Sequence, residues 1–296
     1  MKFERDVVAM VETNVDDVSG EILGRAVERL MQEGAFDATV SPYLGKKGRM
    51  GHTVRALCAC DAVEKIAQIM VEETGMTRMD LLAKNAGIIK SVTQEVAKHA
   101  PDSKLIMVTN PLDAMTYVAL KSTGFKKGRV FGMSGMLDLS RFKQLLSEAL
   151  HASRASINAL VIGEHGESMT PLPSYTSVNG IPLKSLLTEA QIDEAIEKTR
   201  KVAAEVIAKK GATFYAPANG VARMVEAVRY DKKALIPVST YLEGEYGVSG
   251  ICIGVPAIIG AEGVEKIIQV PLSGKEKESF DKGAATLKEA VASIQL

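Results

Sequence analysis

The chain has 296 residues, enough for two domains with separate cores, and its 46% hydrophobic and 24% charged residues are ordinary for a globular protein. Its 36 basic and 36 acidic residues cancel, and no Lys/Arg tract stands out, which excludes nucleic acid and anionic membranes as evident partners. No window supplies the roughly 20 apolar residues of a membrane span, and the charged start Met1-Lys2-Phe3-Glu4-Arg5 is unlike a signal peptide, so a cytoplasmic location is expected.

A short, Val-rich strand is predicted over 6–12. Ser19 can cap a helix whose apolar stripe, Ile22, Leu23, Ala26, Val27, Leu30 and Met31, has helical spacing, and Gly34 closes it. Strands over 37–44 and 52–58 follow, joined by a glycine-rich turn at 45–51, and a helix over 62–73 stops at Thr74-Gly75. The order strand, helix, strand, strand, helix makes most of a ferredoxin-like α+β unit, without its final strand. Cys58 and Cys60 stand two apart, on one face of a strand, as buried small hydrophobes. With Cys252 they make three cysteines and no C-x-x-C pair, which argues against a disulfide framework or a structural zinc site.

From Met76 the texture changes. A helix over 80–99 precedes a buried strand over 104–110 that ends at Pro111, then a helix stopped by Gly124. A strand over 129–133, a helix over 138–150 and a strand over 157–162 come next, and this alternation predicts parallel α/β pairing. An amphipathic helix over 189–210, a helix over 218–230, an Ile/Val/Gly-rich β region over 234–270 and a helix over 275–294 complete the chain. The sharpest boundary is Thr74-Gly75-Met76, with no linker.

Three short pieces carry chemistry: Asn110-Pro111 at a strand end, Asp138-Leu-Ser-Arg141 on a helix, and Gly163-Glu-His165-Gly-Glu-Ser168 after a strand. Asp138 and Arg141 are three apart and share one helix face. His165 is suited to accept the hydroxyl proton of a secondary alcohol, because its ordinary pKa is near 6.5. Asp138 would fix its tautomer, and Arg141 can grip a carboxylate through paired hydrogen bonds. Asn110, at the carboxyl end of a parallel strand, lies where α/β folds put ligands. Singly, these are a loop histidine, a solvated ion pair and a turn; together and in this order they point to a dehydrogenase.

Residues from about 75 to the end resemble the lactate/malate dehydrogenase family, and its malate dehydrogenases more closely. The resemblance runs through Gly-Met-Thr-Arg-Met-Asp-Leu-Leu-Ala-Lys-Asn-Ala-Gly-Ile (75–88), Val-Thr-Asn-Pro-Leu-Asp (108–113), Gly-Met-Leu-Asp-Leu-Ser-Arg-Phe (135–142) and Gly-Glu-His-Gly-Glu-Ser (163–168). It continues through Phe-Tyr-Ala-Pro-Ala (214–218) and Gly-Val-Pro-Ala-Ile-Ile-Gly (254–260). It implies His165 as proton acceptor, Asp138 as its partner, Arg141 on the substrate carboxylate, and Arg78 polarising the carbonyl and closing over the substrate. It further implies Asn110 between nicotinamide and substrate, with Asn85, Val108 and Thr109 contacting NAD. The implied reaction interconverts malate and oxaloacetate with NAD, as in the tricarboxylic acid cycle, and the family's habit is a homodimer or homotetramer, with 218–230 as a candidate contact.

Members of that family open with a glycine-rich strand–turn–helix that binds pyrophosphate. No two glycines here stand two apart, so G-x-G does not occur. Gly20-x-x-x-Gly24 lies within a helix, and Gly45-Lys-Lys-Gly48 joins two strands. Asp16, Asp17 and Glu21 lie at a helix start, where carboxylates would repel a pyrophosphate. By the same resemblance, Glu72 occupies the slot of an arginine that selects a dicarboxylate.

The first 75 residues resemble something else. Glu12-Thr-Asn-Val-Asp-Asp-Val-Ser-Gly-Glu-Ile-Leu-Gly24, Glu33-Gly-Ala-Phe-Asp37 and Lys46-Lys-Gly-Arg49 are similar to the C-terminal part of the nickel-insertion proteins of lactate racemase cofactor assembly, which implies CTP and a divalent metal. Asp16, Asp17 and Glu21 could bind that metal, or could simply satisfy the helix start; the expected site holds no metal.

The expected fold is α/β: a partial ferredoxin-like unit (1–75), an incomplete Rossmann-type half (76–153) and an α+β dehydrogenase C-terminal domain (154–296). The expected function is that of an NAD-dependent malate dehydrogenase acting on a small 2-hydroxy or 2-oxo acid, weak or inactive for want of the pyrophosphate site. The alternative is a metal–nucleotide binding module fused to an inactive dehydrogenase scaffold, or a fusion without function.

Overall fold

The three strands read from the first 60 residues form one antiparallel sheet. Val8–Val15 (β1), Asp37–Leu44 (β2) and Met50–Ala59 (β3) pair in the order β1-β3-β2. The sheet's apolar face is covered by Gly20–Gln32 (α1) and Val63–Glu73 (α2). Leu23 and Leu30 of the first helix and Ile66, Ile69 and Met70 of the second bury against Val54, Ala56 and Cys58. Glu73 is buried but paired, accepting from Arg25 at 2.7 Å and Arg29 at 2.6 Å, while Arg29 also reaches Glu72 at 2.8 Å. Cys60 departs from expectation. The strand ends at Ala59, so the two-residue pleat no longer applies; Cys60 opens a 3-10 turn and is exposed, whereas Cys58 is buried.

The computed structural model describes residues 7–15, 18, 20–44, 50–74, 78–166, 168–210 and 215–294, the side chains of 78–81, 84 and 203–210 excepted. These fall into two units, Met1–Leu81 and Leu82–Leu296, the division lying within the helix Arg78–His99 (α3). The second unit is built on Leu105–Met107 (β4), Leu112–Thr123 (α4), Val130–Gly132 (β5) and Met136–Leu150 (α5). Ile157–Asn158 (β6), Val161–Gly163 (β7), Met169–Pro171 (β8), Ser177–Val178 (β9) and Ile181–Pro182 (β10) follow. Then come Glu189–Lys210 (α6), Tyr215–Arg229 (α7), Ala234–Glu243 (β11), Ser249–Gly260 (β12), Gly263–Ile267 (β13) and Gly274–Ala292 (α8). Its main sheet runs β4-β5-β11-β12-β7-β8, with β13 also on β12; β10-β9-β6 form a small second sheet.

Three expectations change here. Only β4 and β5 pair parallel; the other pairs of the main sheet are antiparallel. Alternating elements reveal layers, but direction follows the connection, and the short turn between β11 and β12 allows only an antiparallel return. The strand expected over 157–162 splits, its first half pairing with β9 and its second with β12 and β8. The strand expected over 104–110 stops at Met107, which leaves Val108, Thr109 and Asn110 exposed beyond the sheet's carboxyl edge.

One row of paired residues crosses the main sheet: Met107, Gly132, Ser239, Gly254, Gly163 and Met169. Its four middle members are small, and α4 comes close to them; the Thr116 hydroxyl lies 2.5 Å from where a Cβ on Gly132 would be. Helix α4 is buried around most of its circumference over its first nine residues (Leu112, Ala114, Met115, Val118, Ala119 and Leu120 with the polar Asp113 and Thr116) and so belongs to the interior. Among the described residues, no helix is long and apolar enough to cross a membrane.

A Cβ on Gly254 would lie 2.6 Å from the Gly163 carbonyl oxygen and 2.5 Å from Ser134 Oγ. The first is main chain of the neighbouring strand and cannot turn aside. Gly254→Ala is expected to cost about 1–3 kcal/mol, read as a fall of several degrees in the thermal transition. A variant melting with the wild type would show that the strands part freely there.

Candidate active site

The site gathers where small residues let two helices meet the sheet. Strand β7 ends at Gly163, whose φ of 87° is easily held only by glycine, and the chain then turns out to present His165. Helix α5 enters beside it. The spacing of Asp138 and Arg141, one turn apart, brings both to the histidine, as expected from the sequence.

His165 Nδ1 lies 2.8 Å from Asp138 Oδ2, and Arg141 Nη1 donates to Asp138 Oδ1 at 3.2 Å. The Asp138 side chain is only 3% exposed, against 13% for His165 and 11% for Arg141, so the aspartate lies beneath two groups that still reach solvent. A carboxylate can only accept, so Nδ1 carries the hydrogen and Nε2 is left to a ligand. Burial works against the imidazolium. The hydrogen bond and charge of Asp138, with the charge of Asp113, outweigh that and the opposing charge of Arg141, and the His165 pKa is raised. Arg141 uses one nitrogen on Asp138; among the described residues no other group engages the guanidinium.

Asn85 and Asn110 also meet. The Asn85 side-chain amide donates to the Asn110 main-chain oxygen at 2.8 Å, tying α3 to the segment after β4. Among the described residues the Asn110 side-chain amide has no partner. Val108 and Thr109 are exposed in the same segment, on the surface of the second unit. Arg78 is the first residue of α3, but its side chain lies outside the described residues.

The sequence reading gave no role to Asp113, in the first turn of α4. It is 2% exposed, and its Oδ2 accepts the main-chain N–H of His165 at 2.8 Å. Its signal was available: a lone carboxylate in a largely apolar helix must have a partner.

The remaining candidates belong to the first unit or lie outside the described residues. Glu72 is held by Arg29 within the first unit. Glu21 is exposed in the first turn of α1, and Asp16 and Asp17 lie outside the described residues. Among the described residues no three His, Cys, Asp or Glu side chains are grouped to hold a metal ion. A cavity of about 370 Å³ between α6, β8 and the start of α8 is lined by Thr170, Lys184, Asp193, Arg200 and Glu276 among others, and contains none of the site residues.

Comparisons with known proteins give the family. The family described as lactate/malate dehydrogenase, alpha/beta C-terminal domain, matches residues 135–295, and that described as lactate/malate dehydrogenase, NAD binding domain, matches 46–132. A nickel insertion protein family matches 1–78. The chain is 41% identical to a malate dehydrogenase of Methanosarcina mazei over 283 residues, 95% of this chain and 90% of that protein. It is 48% identical to one of Nitratiruptor over 218 residues, 73% and 69% of the two chains. Its fold is similar to the malate dehydrogenase structure from Aeropyrum pernix, with a TM-score of 0.71 and 40% identity over 75% of this chain and 72% of that one.

If Asp138 holds the ring's proton as this geometry requires, Asp138→Asn will lower the His165 pKa to its ordinary value or below, since burial then loses its main opponent. Proton NMR of the four histidines against pH, with His165→Asn to assign the resonance, measures it. An unmoved midpoint would mean that Asp138 does not govern the ring.

Proposed function

This chain belongs to the lactate/malate dehydrogenase family, and from that premise we propose how its residues carry out the chemistry. It is an oxidoreductase of the malate dehydrogenase type, working with NAD on a small organic acid. The observation that carries the residue assignments is the Arg141–Asp138–His165 chain of hydrogen bonds, with the ring's Nε2 left to a ligand.

In this reading the substrate carboxylate binds Arg141 through the nitrogens that Asp138 does not use. His165 Nε2 takes the hydroxyl proton as the C–O bond becomes a carbonyl, and Asp138 stabilises the imidazolium that results. Arg78 polarises the carbonyl oxygen in the reverse direction and closes over the substrate. Bound NAD supplies the hydride acceptor. Asn110 would meet its nicotinamide, and Asn85, Val108 and Thr109 would contact NAD; the Asn110 amide, unpartnered among the described residues at the carboxyl edge of the parallel pair, suits that ligand.

The pyrophosphate end fits less well. G-x-G is absent from the sequence, and β1, which leads into the first helix, pairs antiparallel where a dinucleotide cradle uses parallel strands. We therefore read 76–153 as a remnant of the dinucleotide-binding domain, 154–296 as the substrate domain, and the chain alone as a weak catalyst. A homo-oligomer, dimer or tetramer, is what the family resemblance implies, with 218–230 as a candidate contact.

The match of 1–78 to a nickel insertion protein family favours a second reading, in which the first unit binds a CTP–metal complex and the rest is a scaffold. Calorimetry separates the two. Heat on adding NADH, with oxaloacetate-dependent NADH oxidation, supports the dehydrogenase; heat on adding CTP–Mg²⁺ alone supports the module and overturns it.

His165→Asn should lower turnover by about 10²–10⁴-fold with the fold intact, and full turnover in that variant would remove His165 as the base. The raised pKa has a direction to test as well. Malate oxidation needs the neutral ring and should rise with pH through that pKa, while oxaloacetate reduction needs the imidazolium and should fall through it. Parallel pH profiles in the two directions would contradict the assignment.

A further inference from the structure

The reading above uses one carboxylate on the histidine and leaves another unused. Asp113 holds the main chain of His165 where Asp138 holds the ring: Oδ2 accepts the His165 peptide N–H at 2.8 Å, across 52 residues of sequence. Among the described residues its other oxygen, Oδ1, has no hydrogen bond of ordinary geometry, and neither has the hydroxyl of Ser239 on β11, although that hydroxyl lies close enough to pull on the carboxylate. A buried carboxylate with half its capacity unmet is costly. Stability alone would favour an apolar residue at this buried position.

We infer that Asp113 is a positioning residue for the base: it holds the main chain of His165 while Asp138 holds the ring, so that Nε2 is aimed by two fixed points. One point would leave the ring free to swing about its hydrogen bond to Asp138. The second ties the loop to the interior helix α4, which the row of small residues brings close to the sheet. Asn110 lies three residues before Asp113, so the same helix start sets the segment expected to meet nicotinamide and the loop carrying the base.

The hold has an electrostatic side. Burial pushes the Asp113 carboxyl up to about 6, against the pull of the His165 N–H, the Ser239 hydroxyl and the His165 charge, while Glu164 raises it further. The buried Cys252 thiol faces it from β12 and is itself pushed up by burial, with Lys121 acting the other way. His165 itself also faces Asp138 and Arg141. The carboxyl of Asp113 and the imidazole of His165 thus feel each other's charge. As pH falls through about 6, Asp113 takes a proton and its support for the imidazolium weakens.

This rests on His165 being the base, and the test separates the two ideas. The His165 ring resonance in the wild-type chain is followed against pH, with no turnover required. The expected curve has two steps, one for the ring and a smaller one near 6 for the carboxyl below it. In Asp113→Asn, whose amide oxygen still accepts the peptide N–H, the smaller step vanishes and the main midpoint falls by about half a unit or more, roughly threefold in proton affinity. The pH profile of kcat/KM should shift with it, and the KM for malate should hardly move. A single-step wild-type curve overturns the inference whether or not the variant folds, as does a folded Asp113→Asn with an unmoved midpoint. Absent turnover with the two-step curve intact would count against the proposed function alone.

Discussion

The site depends on the hydrogen bond between Asp138 and His165. A histidine in a largely buried position would ordinarily lose its proton to desolvation, and an aspartate as buried as Asp138 would be unstable without donors. Each supplies what the other lacks, and Arg141 satisfies the second carboxylate oxygen. The fold exists around that arrangement in a definite sense. Strand β7 must end at Gly163, beside β12 at Gly254, and α5 must begin close to the sheet, or the ring and the carboxylate would not come within 2.8 Å.

Much of this was readable before the structure. Asp138 and Arg141 announce themselves by helical spacing, and His165 by its place directly after a strand, because both depend on local periodicity. The first unit's strand and helix order was legible for the same reason. What escaped depends on contacts between distant segments. Strand direction is decided by connections, so an alternating pattern suggested parallel pairing where, among the described residues, a single parallel pair exists. Asp113 meets a backbone N–H 52 residues away, and in sequence it is simply the second residue of a helix after Asn110-Pro111. Cys60 was misplaced because a pleat argument was carried one residue past the strand end.

Charge explains why the cluster is built this way. Asp113 and Asp138 both hold one histidine, yet only Asp138 has a cation of the protein on its far oxygen. Burial raises the Asp113 carboxyl to about 6, so its negative charge acts on the ring above that pH and fades below it.

The two ends of the expected cofactor make different demands on the chain. The nicotinamide end must be oriented against the base, and that demand falls on Asn110 and its neighbours, which α4 fixes through the same first turn that carries Asp113. The pyrophosphate end needs only to be held. Interactions of that second kind are the same in the ground state and the transition state, so a weak hold raises the concentration of NAD required without altering the hydride step. The orienting contacts act on the step itself. A dehydrogenase with an intact Arg141–Asp138–His165 cluster but without its pyrophosphate cradle would therefore be impaired chiefly in how it captures NAD. A cradle supplied by another subunit would repair that defect without touching any residue that handles the substrate's proton.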